Sequence, residues 1–313
     1  MATRPHADLV GSTIPVFTSS LGRVDAMRAY QAVMDAWPID RDELTIGTSF
    51  GDTRVVVGGP HDGPPVVLLH ALFATATSWY RNVESLSQQY RTYCVDVIGE
   101  ANKSRPTRPI TSMDEFLKWF TEVLDNLGIH TLYLIGNSYG AFTAAYYAMK
   151  LRERVRKLVL VGPASTIHPM RPFMFHMFLP KGLYMAAPRL PGLERVMDAS
   201  VDWMHAGLPR DPLWGPLFSE TMKHGRLINR VLPRVYKKEE FAEITAPVLF
   251  IFGECEVIYG DLDEAIQAGK DLVPDARVAL IPDAHHITAL SQPDAVNHEL
   301  LRFFSDTGDV YNS

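Results

Sequence analysis

From residue 43 onward the chain alternates short, almost wholly apolar runs with longer stretches whose apolar residues recur every three or four positions. Residues 43–46 and 53–58, separated by turn residues, predict a β-hairpin. Runs at 66–70, 92–98, 132–135, 157–161, 247–252 and 277–281 predict further strands. Those with no polar alternation have no solvent side, so they belong to a sheet buried on both faces. Between them, 77–86, 113–127, 139–152, 262–272 and 293–304 predict helices, with Ser112 and Glu115 spaced as an N-terminal capping box. Alternation of this kind implies an α/β architecture, a mostly parallel central sheet covered by helices. Upstream, Val24, Met27, Tyr30, Met34 and Trp37 lie three or four apart, which predicts an amphipathic helix over 23–37, packed on the rest of the protein.

The alternation stops at Pro163 and resumes at Pro247. Residues 165–240 hold nine of the 22 prolines and seven of the 12 methionines, a shift that marks an insertion of a few short helices. The expected organisation is therefore a core of 1–163 and 241–313, with an N-terminal helical extension over 1–42, and a helical cap over 164–240. At 313 residues the chain is long enough for a large core without staples. Its net charge of −6 offers no basic field for nucleic acid. No apolar run approaches the roughly 18 residues a membrane span needs, and the N-terminal residues lack a signal-like apolar stretch. Cys94 and Cys255 form no CxxC pair, which argues against a disulfide framework or structural zinc and for a cytoplasmic location. His168, His176, His205 and His224 are too scattered for a metal site, so no metal or other cofactor is expected. The oligomeric expectation is a monomer or homodimer.

Two stretches fit G-x-S-x-G. Ser49 lies between the two halves of the hairpin and reads as a turn residue. Gly136-Asn137-Ser138-Tyr139-Gly140 lies between an apolar strand and a helix, the context in which the motif carries chemistry. Small residues on either side of Ser138 let strand and helix approach, and the free amides of the helix start favour negative charge nearby. A serine hydroxyl needs a base to take its proton. Beyond the last strand stand two candidates, His285 and His286, between which spacing alone does not choose.

With these features the chain resembles the α/β-hydrolase superfamily over nearly its whole length. The family pattern of histidine, six residues, then proline is matched by His286 and Pro293, which implies that His286 is the base; His285 then stands where the family has glycine. The family's Gly-x-x-Asp after the preceding strand is matched by Gly253-Glu254-Cys255-Glu256, which implies Glu256 as the acid, with Asp261 or Asp263 as substitutes and Glu254 as surface charge. One oxyanion amide is expected from Tyr139, and the resemblance implies Leu72 as the other, in His70-Ala71-Leu72 where the family often has His-Gly-x. The run from Asp96 to Ser104 is similar to a family strand-end motif and is given a structural role, as is His70. The insertion falls where many members carry a helical lid. Its Met174, Met177 and Phe178 are expected either as lid core or as an apolar wall of the acyl pocket. The insertion is more basic than the rest, which suits an anionic substrate end and a solvated outer face equally well. The activity implied is hydrolysis of a small-molecule ester, lactone or thioester with an apolar acyl group through an acyl-enzyme on Ser138. Carbon–carbon bond hydrolysis, cofactor-free haloperoxidase or lyase chemistry on the same residues, or ligand binding without catalysis, are the alternatives.

Overall fold

A computed structural model describes residues 12–187 and 190–306; the extreme N-terminus, read above as carrying no signal-like stretch, lies largely outside them. Among the described residues nine strands form one sheet: β1 Arg41–Thr48, β2 Gly51–Gly58, β3 Pro65–Leu69, β4 Arg91–Val95, β5 Arg105–Pro106, β6 Leu132–Asn137, β7 Val155–Val161, β8 Val248–Gly253 and β9 Arg277–Ile281. Their order is β1-β2-β4-β3-β6-β7-β8-β9, with β5 beside β2. The pairs β1–β2, β2–β4 and β2–β5 are antiparallel, and every pair from β4 through β9 is parallel. The central strands β6 and β8 are buried at nearly every residue, as continuous apolar runs require. The edge strand β9 alternates, with Leu280 facing out and Ile281 in.

The helix Met113–Asn126 sinks Phe116, Trp119, Phe120, Val123 and Leu124 against the sheet. Ser112 Oγ accepts the Glu115 amide as anticipated. The Glu115 carboxylate reaches past the cap to the amide and hydroxyl of Thr111, so only half of the capping box forms. The stretch 77–86 departs from expectation. Instead of one helix it is a 3₁₀ turn, Ala76–Trp79, and a short helix, Val83–Leu86. Tertiary bonds override local periodicity here: the Ala76 amide donates to Asp96, and the Asn82 side chain donates to Ala289 and Asn297.

Between β7 and β8 the chain leaves the sheet. A helical run over 171–186 contains one wider, π-type turn at Met174–Phe178, and the helices Leu193–Met204 and Trp214–His224 follow. An extended strap then leads to the short helix Lys238–Phe241. This insertion is anchored at several points. Asp211 pairs with Arg81 and accepts the Tyr80 hydroxyl. Buried Lys181 donates to the carbonyls of Met222 and Lys223 at the end of the third helix. The N-terminal helix Ser20–Asp35 packs on Trp214–His224, and Phe17 bridges to Gly225.

Candidate active site

Ser138 occupies the turn between β6 and the helix Tyr139–Lys150, with φ 52° and ψ −110°. A left-handed φ on a non-glycine residue costs on the order of 1–3 kcal/mol and persists only where surroundings enforce it. Here the Ser138 amide donates to Val161, and its carbonyl accepts from Ala141, Phe142 and Ala164. A Cβ on Gly136 would overlap the Gly140 carbonyl, and one on Gly140 would overlap the Leu69 carbonyl. The two glycines are thus required by contact, as the sequence pattern anticipated. The other G-x-S-x-G is a hairpin tip, where Ser49 donates through both amide and hydroxyl to Glu122.

The structure brings Ser138, His286 and Glu256 into one line. His286 Nε2 lies 2.9 Å from Ser138 Oγ, and its Nδ1 lies 2.8 Å from Glu256 Oε2. The His286 and Glu256 side chains are 1% and 0% exposed. The second Glu256 oxygen accepts the amides of Val257 and Ile258, which fixes the carboxylate's orientation. A carboxylate on Nδ1 places the imidazole proton there and leaves Nε2 as an acceptor for the serine proton. The backbone around the pair is tight. A Cβ on Gly253 would overlap the Ala284 carbonyl, and one on Gly162 would sit 3.2 Å from both Glu256 Oε2 and His286 Nδ1.

The neighbouring candidates do other things. His285 accepts the Ile287 amide and packs against the His205 ring of the insertion. Burial, reinforced by the charges of His205 and His286, pushes its pKa down to about 3, so it stays neutral. Asp261 caps the helix Leu262–Leu272 by accepting the Glu264 amide, and Glu254 accepts the Asp283 amide. His70 uses both nitrogens structurally: Nε2 accepts the Val97 amide and Nδ1 donates to Ala71. Among the described residues no group of His, Cys, Asp or Glu is arranged to hold a metal.

The amides of Leu72 and Tyr139 have no hydrogen-bond partner among the described residues, unlike that of Phe73, which donates to Glu100. Phe73 adopts φ 60°, which turns this loop sharply behind Leu72. Glu100 is a feature that sequence reasoning treated only as part of a structural run. It is buried beside this loop, and burial raises its carboxyl to about 7 against the opposing pull of the Phe73 amide. Asp96 in the same run accepts from Ala76, Lys103 and Tyr30, and burial raises it to about 6.

A small cavity of about 10 Å³ is bordered by chain neighbours of this arrangement, namely Ala71 and Ala74 of the Leu72 loop, Asn137 before Ser138, and Ile287 after His286, and by none of the expected site residues themselves. Met174, Met177 and Phe178 do not border it. Met174 is half-exposed, Met177 is buried in the insertion, and Phe178 packs edge-on against Phe173. A far larger cavity, about 1030 Å³, lies between residues 13–20 and the sheet edge at Arg54 and Arg105, and holds none of the expected site residues.

A family model described as alpha/beta hydrolase fold matches residues 64–293. The chain belongs to the α/β-hydrolase family. This α/β-hydrolase is 32% identical over 292 residues to a Bacillus subtilis protein named uncharacterized carboxylesterase nap, covering 90% of the chain and 93% of that protein. It is 30% identical over 283 residues to carboxylesterase YbfK of the same organism, covering 88% and 92%. The crystal structure of naproxen esterase from Bacillus subtilis matches with a TM-score of 0.80 at 30% identity, over 91% of this chain and 99% of that one. No helix among the described residues is long and apolar enough to cross a membrane.

Proposed function

We propose that this α/β-hydrolase is a serine carboxylesterase that cleaves a small-molecule ester, lactone or thioester. The observation that carries the reading is the buried, hydrogen-bonded line from Ser138 through His286 to Glu256. Ser138 Oγ attacks the acyl carbon while His286 Nε2 takes its proton. Glu256 holds the Nδ1 proton and stabilises the imidazolium. The amides of Leu72 and Tyr139 donate to the oxyanion, a contribution worth about 10²–10³ in kcat per donor elsewhere. His286 then returns the proton to the departing alcohol, and water releases the acyl group by the same steps in reverse. The carboxylesterase relatives, which share most of their length with this chain, support ester chemistry over the other reactions open to such a triad. Two cysteines present as free thiols, Cys94 and Cys255, support a reducing, cytoplasmic setting.

The test is hydrolysis of p-nitrophenyl esters together with labelling by a fluorophosphonate. The wild-type protein is expected to release p-nitrophenol and to label at Ser138. Ser138→Ala is expected to fold normally, to lose labelling, and to lose roughly 10⁴-fold or more in kcat. Labelling without ester turnover would point to another reaction on the same triad, and full turnover by Ser138→Ala would refute the reading.

A further inference from the structure

Among the described residues nine side-chain polar atoms are buried without any hydrogen-bond partner, and four of the nine belong to residues bordering the 10 Å³ cavity: Ser78 Oγ, Trp79 Nε1, Asn137 Oδ1 and Trp214 Nε1. The residues are 7%, 1%, 4% and 1% exposed. An unpaired buried polar group costs about 1–3 kcal/mol, and it is the gathering of four of them around one space, while the other five border no part of it, that points to a common partner. Trp79 and Ser78 come from the 3₁₀ turn after the Leu72 loop, Asn137 from the end of β6, and Trp214 from the insertion. Three separate parts of the chain thus contribute one wall each.

The chemistry of the four atoms restricts what fits. An indole N–H only donates, so Trp79 and Trp214 require an acceptor. The Asn137 carbonyl only accepts, so it requires a donor. Ser78 does either. A bare carbonyl or ether oxygen would satisfy the indoles and leave Asn137 unpaired. A carboxylate would meet the Asn137 oxygen with like charge, and no cationic side chain borders the cavity. A hydroxyl accepts two hydrogen bonds and donates one, so it pairs with three of the four atoms, both indoles and Asn137, and the rotatable Ser78 hydroxyl shares a place with one of them. The volume agrees, since a space of this size admits one group as large as a water molecule.

We infer that the cavity bordered by Ser78, Trp79, Asn137 and Trp214 is a subsite for a hydroxyl group carried by the substrate close to the scissile ester. The inference rests on the esterase reading above and narrows it to hydroxylated esters. Asn137 precedes Ser138 and Ile287 follows His286, so the subsite adjoins the reacting serine and base. A substrate that fills it fixes its own orientation there, and one that lacks the hydroxyl leaves fixed donors unpaired.

The experiment measures kcat/KM for matched pairs of esters in which a hydroxyl replaces a methyl group. One series varies the acyl group (2- or 3-hydroxy against 2- or 3-methyl acyl chains), the other the alcohol (2-hydroxyethyl against propyl esters). For the wild type, at least one hydroxylated member is expected to exceed its methyl partner by about 10-fold or more. In Trp214→Phe and in Trp79→Phe, which keep a ring but lose the donor, that ratio should fall about 5- to 10-fold, one neutral hydrogen bond's worth. Ser78→Ala gives the same reading with a smaller change of shape. The ratio within each variant is the readout, because a residue that only packs would slow both members of a pair alike. Wild-type preference for no hydroxylated ester in either series, as a cavity holding only a structural water would give, overturns the inference. So does a preference that survives all three substitutions. Failure to hydrolyse any ester, methyl or hydroxyl, would instead refute the esterase reading itself.

Discussion

His285 and His286 are adjacent, both buried, and chemically identical, yet only one reaches a serine and a carboxylate. The structure separates them by partner. His286 spans Ser138 and Glu256, whereas His285 holds the Ile287 amide and leans on His205. His286→Ala is therefore expected to abolish ester turnover, while His285→Ala retains a measurable fraction; steady-state kinetics on one p-nitrophenyl ester checks both. Glu256→Gln keeps the shape of the side chain but withdraws the charge that stabilises the imidazolium, so kcat should fall roughly 10²–10⁴-fold. Asp261→Asn, at a helix cap, should leave kcat near wild type and cost at most a few tenths of a kcal/mol, because asparagine caps nearly as well. A damaging Asp261→Asn beside a harmless Glu256→Gln would place the acid farther along the loop. At this scale the sequence was legible where the chemistry is local. Ser138 announces itself by glycines two residues away on each side. Glu256 has no such neighbours and needed the resemblance, and its orientation comes from the backbone amides of Val257 and Ile258. Glu100 was not legible as a buried acid, because its burial depends on the loop around Phe73, contributed from far up the chain.

Elements decide how these residues meet. The serine, acid and histidine each stand just beyond the C-terminal end of a parallel strand, β6, β8 and β9, so the sheet register sets their spacing. The loop after β7, between them, is squeezed. Gly162 has φ 49°, and a Cβ there would press on Glu256 and His286 together. Gly162→Ala is expected to reduce kcat by about 10–100-fold through misplacement of the base. The cost in stability should be about 1 kcal/mol from the strained φ. Unchanged kcat, with only a lower melting temperature, would show that the pair has room to move. The strands and the long helices were readable because burial on both faces, or on one stripe, leaves a direct periodic trace. Residues 77–86 were misread for the opposite reason. Their periodicity suits a helix, but Asp96 and Asn297, distant in sequence, capture Ala76 and Asn82 and break it into two turns. The insertion's short helices were anticipated by its prolines and methionines, but no local pattern tells where Trp214 will dock.

For the molecule as a whole, the two acids of the 96–104 run tie pH to stability. The Glu100 carboxyl is raised to about 7 in the folded protein, above the usual carboxylate value near 4.5. As pH rises, the unfolded chain releases this proton first, so folding loses stability progressively from about pH 4.5 to pH 7 and no further beyond. Glu100→Gln removes that loss. Its melting temperature relative to wild type should climb across the same interval and then level off; a difference independent of pH would mean that Glu100 is ionised in the folded state throughout. Asp96, raised to about 6, adds a loss of the same sign over a lower window. The N-terminal helix and the insertion also belong to this scale. They meet through Phe17, Gly22, His224 and Gly225, so segments some 200 residues apart brace each other over the sheet. The cavity beside Ser138 has its walls divided in the same way, with Trp79 and Asn137 on the sheet side and Trp214 on the insertion. Suppose the insertion were exchanged whole for that of a relative while the sheet was left alone. A graft of that kind would carry one indole donor away and leave its companion and the asparagine behind, so the selectivity of this site is inherited only when both halves travel together.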